Sequence, residues 1–364
     1  MRITLLFPTV IAACIVPNPA FNLSDGHATT GLTTGLTSEP TTGLTTTATP
    51  TTGPLTTTEL GTTGPIDPGT GTAAADATTG GAQDCWSQGA DGWPLIGTPL
   101  TAFQDFYPAD PFITPDGLRL YYVALMERRP FLTTRASRDM PFANGTPLVV
   151  WNSDPAYVPT YPALVLGEQE MLMSNLDDIA FSVYQGGNFD KYTKPTLITG
   201  PNTDKREQHL TATADGEVLI VARQDGDPLP PFFPGGAPRF HQFTRSDPKP
   251  GDAFTGDTDV SPQVGTLHLT ICPVLSPDGL RLFFSSTEVA VLDDNNVDAS
   301  VGIYFTTRDA RDAPWGPATR IAIVSDMNGS TCPSSVTADG CELAYHQFRV
   351  KGGDYHIFLA SRSP

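Results

Sequence analysis

Through the last three quarters of the chain, short apolar runs and tight turns alternate in a pattern that repeats. Thr114-Pro115-Asp116-Gly117 precedes Leu120-Tyr121-Tyr122, and Ala214-Asp215-Gly216 precedes Leu219-Ile220-Val221. Ser276-Pro277-Asp278-Gly279 precedes Leu282-Phe283-Phe284, and Ala338-Asp339-Gly340 precedes Leu343-Ala344-Tyr345. A degenerate fifth copy, Leu166-Gly167-Glu168 before Met171-Leu172-Met173, fills the gap. Ser276-Pro277-Asp278-Gly279 is a hairpin signal with a mechanism, because Pro277 presets φ at the second turn position and Gly279 accepts the left-handed conformation. A unit that recurs every few dozen residues, with a tight turn between two apolar strands, predicts a propeller or a solenoid.

The fourth copy shows the whole unit. Residues 272–275 predict a short strand, 276–279 the turn and 280–285 a second strand. After an acidic loop, residues 302–308 predict a third strand, and Trp315-Gly316-Pro317 leads into a fourth over 319–324. Four antiparallel strands make one blade. The third strand ends in arginine in four units, at Arg135, Arg245, Arg308 and Arg362. The same residue in every unit fixes blade geometry rather than serving one asymmetric site, and the repeated aspartates read the same way.

These residues resemble the WD40-like, or TolB-like, β-propeller repeat: a Ser-Pro-Asp-Gly turn, an apolar pair, an Ile-Tyr strand ending in Arg, and a Trp-x-x-Pro. The resemblance covers residues 86–364. It departs in the second unit, where Gly167-Glu168 stands for Asp-Gly and no Arg follows Phe181-Ser182-Val183-Tyr184. The resemblance is specific for fold and nearly silent on function. It implies relatives that are periplasmic partner proteins, peptidase propeller domains and, in one branch, oligogalacturonate lyases.

The last unit ends at Arg362 with no room for a fourth strand, whereas Gly92-Trp93-Pro94-Leu95-Ile96-Gly97 precedes the first unit as an orphan. Pairing residues 93–100 into the last unit closes the ring and leaves no open edge. Units of about fifty to sixty residues then give five. The expected fold is all-β: a five-bladed β-propeller of four-stranded antiparallel blades, closed by an N-terminal strand and preceded by a disordered linker. In such a ring the strand before the Asp-Gly turn is innermost, so the residues that begin it line one mouth of the channel. They are Asp110, Tyr161, His209, Cys272 and Cys332, of which Asp110, Tyr161 and His209 are the candidate ligand-binding residues.

Composition divides the chain in three. Arg2 and the apolar residues 3–13 are too short to span a bilayer and suit an export signal, taken as residues 1–22. Ile11-Ala12-Ala13-Cys14 resembles the lipobox of bacterial lipoproteins, which implies lipidation at Cys14; cleavage near Ala20 is the alternative. Either exports the protein, as an outer-membrane or periplasmic lipoprotein or to the extracellular surface. Residues 23–82 are a Thr/Gly/Pro-rich linker, with Thr41-Thr42-Gly43 and Thr51-Thr52-Gly53-Pro54 typical of it. Such a stretch cannot bury enough apolar surface to offset its conformational entropy. As a flexible coil its reach is about 40 Å. Residues 83–364 are the propeller domain.

The formal net charge of −18 disfavours nucleic acid and anionic membrane surfaces as partners. The expected partner is an envelope protein or a saccharide, with membrane contact through the lipid anchor alone and the chain a monomer. With Cys14 lipidated, four cysteines remain, an even number that fits two disulfides of three possible connectivities. In the ring that the resemblance implies, Cys272 and Cys332 hold nearly the same position in adjacent blades and would bridge. Cys85 with Cys341 would then tie the lead-in segment to the last blade.

Candidate chemistry is sparse. His241-Gln242-Phe243 and His346-Gln347-Phe348 are alike, and the lyase branch holds a divalent metal with histidines and a glutamine, yet these two fall on different strands of their units. Asp294, Asn296 and Asp298 offer oxygen at alternate positions, as Ca2+ prefers, without the glycine and distal glutamate of a calcium loop. They are weak candidates, and no other cofactor is expected. No nucleophile elbow, metalloprotease helix, phosphate loop or dinucleotide fingerprint is present. The apolar insert 225–238, with Phe232 and Phe233, is a contact loop or packs on its own blade. The favoured reading is a non-enzymatic binding or scaffolding module. The alternatives are a carbohydrate-active enzyme of oligogalacturonate-lyase type working at the channel mouth, and a purely structural surface protein.

Overall fold

The computed structural model describes residues 84–364 except 95, 101–106, 128, 149–158, 176, 187–190, 226–237, 262–268, 288–301, 322–328, 350–353 and 364. The expected signal segment, Cys14 and the linker fall outside the described residues. So do Asp294, Asn296, Asp298, His268 and most of the apolar insert. Among the described residues no helix is long and apolar enough to cross a membrane.

A 3-10 turn at Cys85–Gln88 leads to β1 (Thr98–Pro99). Five four-stranded antiparallel sheets follow as blades. Blade 1 is β2 (Pro108–Ile113), β3 (Arg119–Ala124), β4 (Arg129–Thr134) and β5 (Thr146–Pro147); blade 2 is β6 (Pro159–Val165), β7 (Glu170–Asn175), β8 (Asp178–Val183) and β9 (Thr196–Leu197). Blade 3 is β10 (Glu207–Ala212), β11 (Val218–Gln224), β12 (Pro238–Thr244) and β13 (Thr255–Asp259); blade 4 is β14 (Leu269–Leu275), β15 (Arg281–Thr287), β16 (Gly302–Thr307) and β17 (Thr319–Arg320). Blade 5 is β18 (Gly329–Val336), β19 (Glu342–Arg349) and β20 (Asp354–Ser361), with β1 as its outermost strand. The innermost strands β2, β6, β10, β14 and β18 neighbour one another in ring order, β18 returning to β2.

The closing strand is shorter than expected. Thr98 pairs with Leu359 and Pro99 with Phe358, and the Leu100 amide donates to the Ile357 carbonyl at 2.9 Å. Trp93 pairs with nothing in the sheet; its ring is buried beneath the Arg362 guanidinium, 4.2 Å from it. Between blades 4 and 5, Phe283, Ile303, Leu343, Tyr345 and Phe358 pack with Trp86 and Trp93. Full burial of each such side chain is worth about 1.5–3 kcal/mol.

The repeated residues hold the blades in shape. At each regular turn one aspartate oxygen accepts from a hydroxyl two residues earlier and from an amide two residues later. The amide bonds are Leu118 to Asp116 at 2.9 Å, Glu217 to Asp215 at 3.1 Å, Leu280 to Asp278 at 3.0 Å and Cys341 to Asp339 at 3.1 Å. The recurring arginines donate Nε to the turn glycine's carbonyl: Arg135 to Gly117 at 2.7 Å, Arg245 to Gly216 and Arg308 to Gly279 at 2.8 Å, Arg362 to Gly340 at 2.9 Å. Each guanidinium also lies over an aromatic ring of Phe142, Phe254, Trp315 or Trp93. Three then reach the preceding blade, Arg135 to Glu342, Arg245 to Glu170 and Arg308 to Gln242. In the degenerate second unit Leu166, Gly167 and Glu168 all adopt positive φ, and Glu168 accepts from Tyr121 of blade 1 at 2.7 Å and pairs with Arg119.

Both disulfides join as expected, Cys85 to Cys341 and Cys272 to Cys332. The bridge from Cys272 links the innermost strands of blades 4 and 5.

Candidate functional site

The innermost strands start earlier than their turns imply, so Asp110, Tyr161, His209, Cys272 and Cys332 lie within them rather than at their first residues. Each of these strands carries one residue more than its partner spans: the register shifts between Ala109 and Phe112, Thr160 and Ala163, Gln208 and Leu210, Ile271 and Val274, and Pro333 and Ser335. In four blades the extra residue is held in the left-handed region, Asp110 at φ 51°, Tyr161 at 49°, His209 at 48° and Cys272 at 54°. For a residue with a Cβ this conformation costs roughly 1–2 kcal/mol. Such bulges re-aim side chains.

The re-aimed side chains meet across the ring. The Tyr161 ring of blade 2 stacks on His209 of blade 3 with centroids 4.1 Å apart, and lies 6.4 Å from His346 of blade 5, which is not its neighbour. His346, opposite Cys332 in the β18–β19 pair, accepts at Nδ1 from the Asp110 amide at 3.3 Å. Ser334 Oγ lies 3.3 Å from the same nitrogen, and the Asp110 carboxyl 3.5 Å. His209 Nδ1 is 3.2 Å from Cys272 Sγ. Asp110, His209, Cys272, Cys332 and His346 are buried, whereas Tyr161 and Ser334 are half-buried.

Burial sets the protonation of the cluster. It pushes the Asp110 carboxyl up to about 7, against the opposing hydrogen bond from the Tyr161 amide. It pushes both imidazoles down to about 3; the neighbouring His346 and Arg206 add to the effect on His209. Near neutral pH both rings are uncharged, while Asp110 stands near the midpoint of its titration, its protonated form suiting the Nδ1 lone pair that it faces. The cluster therefore offers uncharged imidazoles beside one aromatic face, with no fixed cation within it. Among the described residues, His209, Cys272 and Cys332 form the one group of three whose ligand atoms lie within 4.8 Å of one another, as a metal would require. While the sulfurs are bridged, no thiolate is available to an ion.

Toward the Asp-Gly turns the channel narrows to a cavity of about 20 Å³, room for about one water, between Phe112, Leu164, Leu210, Leu275 and Val336. This filled half fits the structural alternative; the polar cluster beyond it does not. A groove of about 520 Å³, unanticipated from the sequence, runs between β1 and β20 on one side and Arg138, Met140 and Phe142 of blade 1 on the other.

His209 and His346 thus belong to one cluster, and His241 does not. On the third strand of its blade, His241 sits between Asp257, 2.6 Å from Nδ1, and Asp225, 3.0 Å from Nε2, beside Arg223. His356 lies a strand outward from His346, opposite Gln347. His346 and Ser334 are the members of the cluster that the expected ligand-binding set missed.

No protein-family model and no curated protein matches the chain. Solved structures similar to it include TolB from Acinetobacter baumannii, at 12% identity and TM-score 0.40 over 70% of this chain and 55% of that one. They also include the calcium-binding protein regucalcin from Agrobacterium tumefaciens, at 14% identity and TM-score 0.39 over 72% of this chain and 77% of that one. The periplasmic gluconolactonase of Pseudomonas aeruginosa matches at 14% identity and TM-score 0.34, over 60% of this chain and 55% of that one. The chain spans 55% of the length of the first of these.

Proposed function

We propose that this chain is a non-enzymatic binding propeller, exported and tethered to the envelope through Cys14, that takes a neutral saccharide at the Tyr161 side of its channel. One observation carries the reading. Positions that are equivalent by the repeat hold unlike polar and aromatic residues, Asp110, Tyr161, His209 and Cys272, each in a strained backbone conformation. Strain of this kind persists where the surrounding structure holds it and clusters at ligand sites, and divergence within a repeat is where an asymmetric ligand is read. A half-buried aromatic ring beside uncharged hydrogen-bonding groups suits a sugar face with its hydroxyls. The −18 charge argues against a polyanionic one. Two disulfides fit an oxidising compartment.

Calorimetric titration of the full, oxidised chain with neutral oligosaccharides tests the reading. Binding that weakens at least roughly tenfold, about 1.4 kcal/mol, in Tyr161→Ala supports it. Equal binding by that variant removes the channel from the reading, and release of unsaturated product from oligogalacturonates assigns the lyase alternative instead. Fatty-acid labelling abolished by Cys14→Ala tests the tether.

A further inference from the structure

The two disulfides sit in different chemical surroundings. Cys85 Sγ lies 3.6 Å from the Arg362 carbonyl and Cys341 Sγ 3.7 Å from the Asp339 carbonyl, with no nitrogen ligand among these contacts. That bridge closes a sequence separation of 256 residues. The Cys272–Cys332 bridge joins β14 to β18, and the same two blades also meet through the Ser285 hydroxyl of β15, which donates to the Thr331 carbonyl of β18 at 2.5 Å, and through the apolar core between them. Of the two bridges it alone has an imidazole nitrogen 3.2 Å from one sulfur among the described residues.

We propose that reduction of Cys272–Cys332 converts this corner of the channel into a zinc site, with Cys272 Sγ, Cys332 Sγ and His209 Nδ1 as its three protein ligands. Two thiolates and an imidazole are a ligand set that zinc prefers, and three protein ligands leave a fourth tetrahedral position for water or a bound group. With Zn–S near 2.3 Å and Zn–N near 2.0–2.1 Å, ligand atoms around one ion stand about 3.5–3.8 Å apart. The His209–Cys272 separation is already close to this, and all three ligand atoms lie within 4.8 Å of one another. Parting the two sulfurs needs side-chain rotation only, since the Cα atoms stand 5.7 Å apart. His209 and Cys272 hold the same bulge position in adjacent blades, both at positive φ.

The chemistry balances with a phosphine as reductant. The phosphine gives up two electrons and becomes its oxide with oxygen from water; the S–S bond breaks, and the two water protons go to the two sulfurs. Zinc then displaces both thiol protons. His209 ligates through the Nδ1 lone pair, with its own proton on Nε2. Nothing in this scheme requires a ligand at the Tyr161 mouth. Zinc capture is read in the reduced protein and saccharide binding in the oxidised one, so either can fail alone.

The test uses the full chain, reduced with a phosphine under nitrogen, freed of reductant, exposed to Zn2+ and desalted before elemental analysis. Cobalt(II) serves as the spectroscopic probe, because thiolate-to-cobalt charge transfer reports sulfur ligation. The expected result is about one zinc per chain after reduction and none before it, with affinity at least roughly tenfold weaker in His209→Ala. A Cys85→Ser/Cys341→Ser variant should retain the zinc, and Cys272→Ser/Cys332→Ser should lose it together with the cobalt–thiolate band. Zinc retained equally without reduction, zinc retained by Cys272→Ser/Cys332→Ser, or no zinc in the reduced wild type overturns the proposal. Should Cys272→Ser/Cys332→Ser fail to fold, His209→Ala decides, since it keeps both cysteines; unchanged affinity there is equally fatal.

Discussion

The backbone amide of Asp110 donates to Nδ1 of His346 at 3.3 Å, joining the first blade to the last. The same seam is crossed again by Arg135 and Glu342. A residue of the candidate site is therefore also part of what holds the ring closed, and its titration reaches global stability.

Asp110→Asn should stabilise the fold at pH 8 and leave it nearly unchanged at pH 4. Burial raises the carboxyl to about 7 from an ordinary value of 3.8, so between those values the folded state holds a proton that the unfolded state has lost. Stability then falls as pH rises through that window, by a few kcal/mol in all, and the amide removes the effect. Urea unfolding of both proteins from pH 4 to 8 measures it. A constant difference across that range would contradict the assignment.

The imidazoles act in the opposite direction. His209 and His346 are lowered to about 3 from 6.5, so the unfolded state binds protons first as pH drops from 6.5, and stability is lost progressively toward pH 3. Each contributes a slope of about 1.4 kcal/mol per pH unit. His346→Gln should flatten the acid limb by one such increment, as read from the pH dependence of the denaturation midpoint.

Removing one member of an inter-blade pair should be severe. Arg245→Ala leaves Glu170, fully buried, without its guanidinium and strips the Gly216 carbonyl of its donor. A loss of about 3–5 kcal/mol follows for a stranded buried charge. Replacing both Arg245 and Glu170 by Leu should cost less than Arg245→Ala, which equilibrium unfolding will show.

At the lead-in segment, a Cβ on Gly340 would stand 2.4 Å from the Trp86 indole, and its φ of +68° disfavours any side chain. Gly340→Ala should displace Trp86 and lower the melting temperature. Loss of the Cys85–Cys341 bond alone should cost about 2–5 kcal/mol. Both effects are read by calorimetry.

The blades were legible because their determinants are local. An aspartate that closes a turn on its own neighbours, as Asp278 does, needs nothing outside its hairpin. The pairing of Cys272 with Cys332 followed from equivalence between blades. The cluster was half legible, for a different reason. Asp110, Tyr161 and His209 could be placed by counting back from the turns, but His346 enters from the second strand of its blade, and its approach to Asp110 depends on an extra residue in β2 and in β18. Bulges leave no sequence signal when the left-handed residue is not glycine. The pairing expected over residues 93–100 is confined to Thr98 and Pro99, because Trp93 is held by Arg362 and the core rather than by the sheet.

The lead-in segment is fastened by unequal means. β1 contributes two paired residues, whereas Cys85 is joined to Cys341 by a covalent bond, and its amide also donates to the Asp339 carbonyl at 3.0 Å. A pull on the chain from the N-terminal side of Cys85 is thus delivered to the last blade through sulfur before it reaches any strand. The disulfide serves as a strain relief, of the kind that keeps a tug on a cable from reaching its contacts.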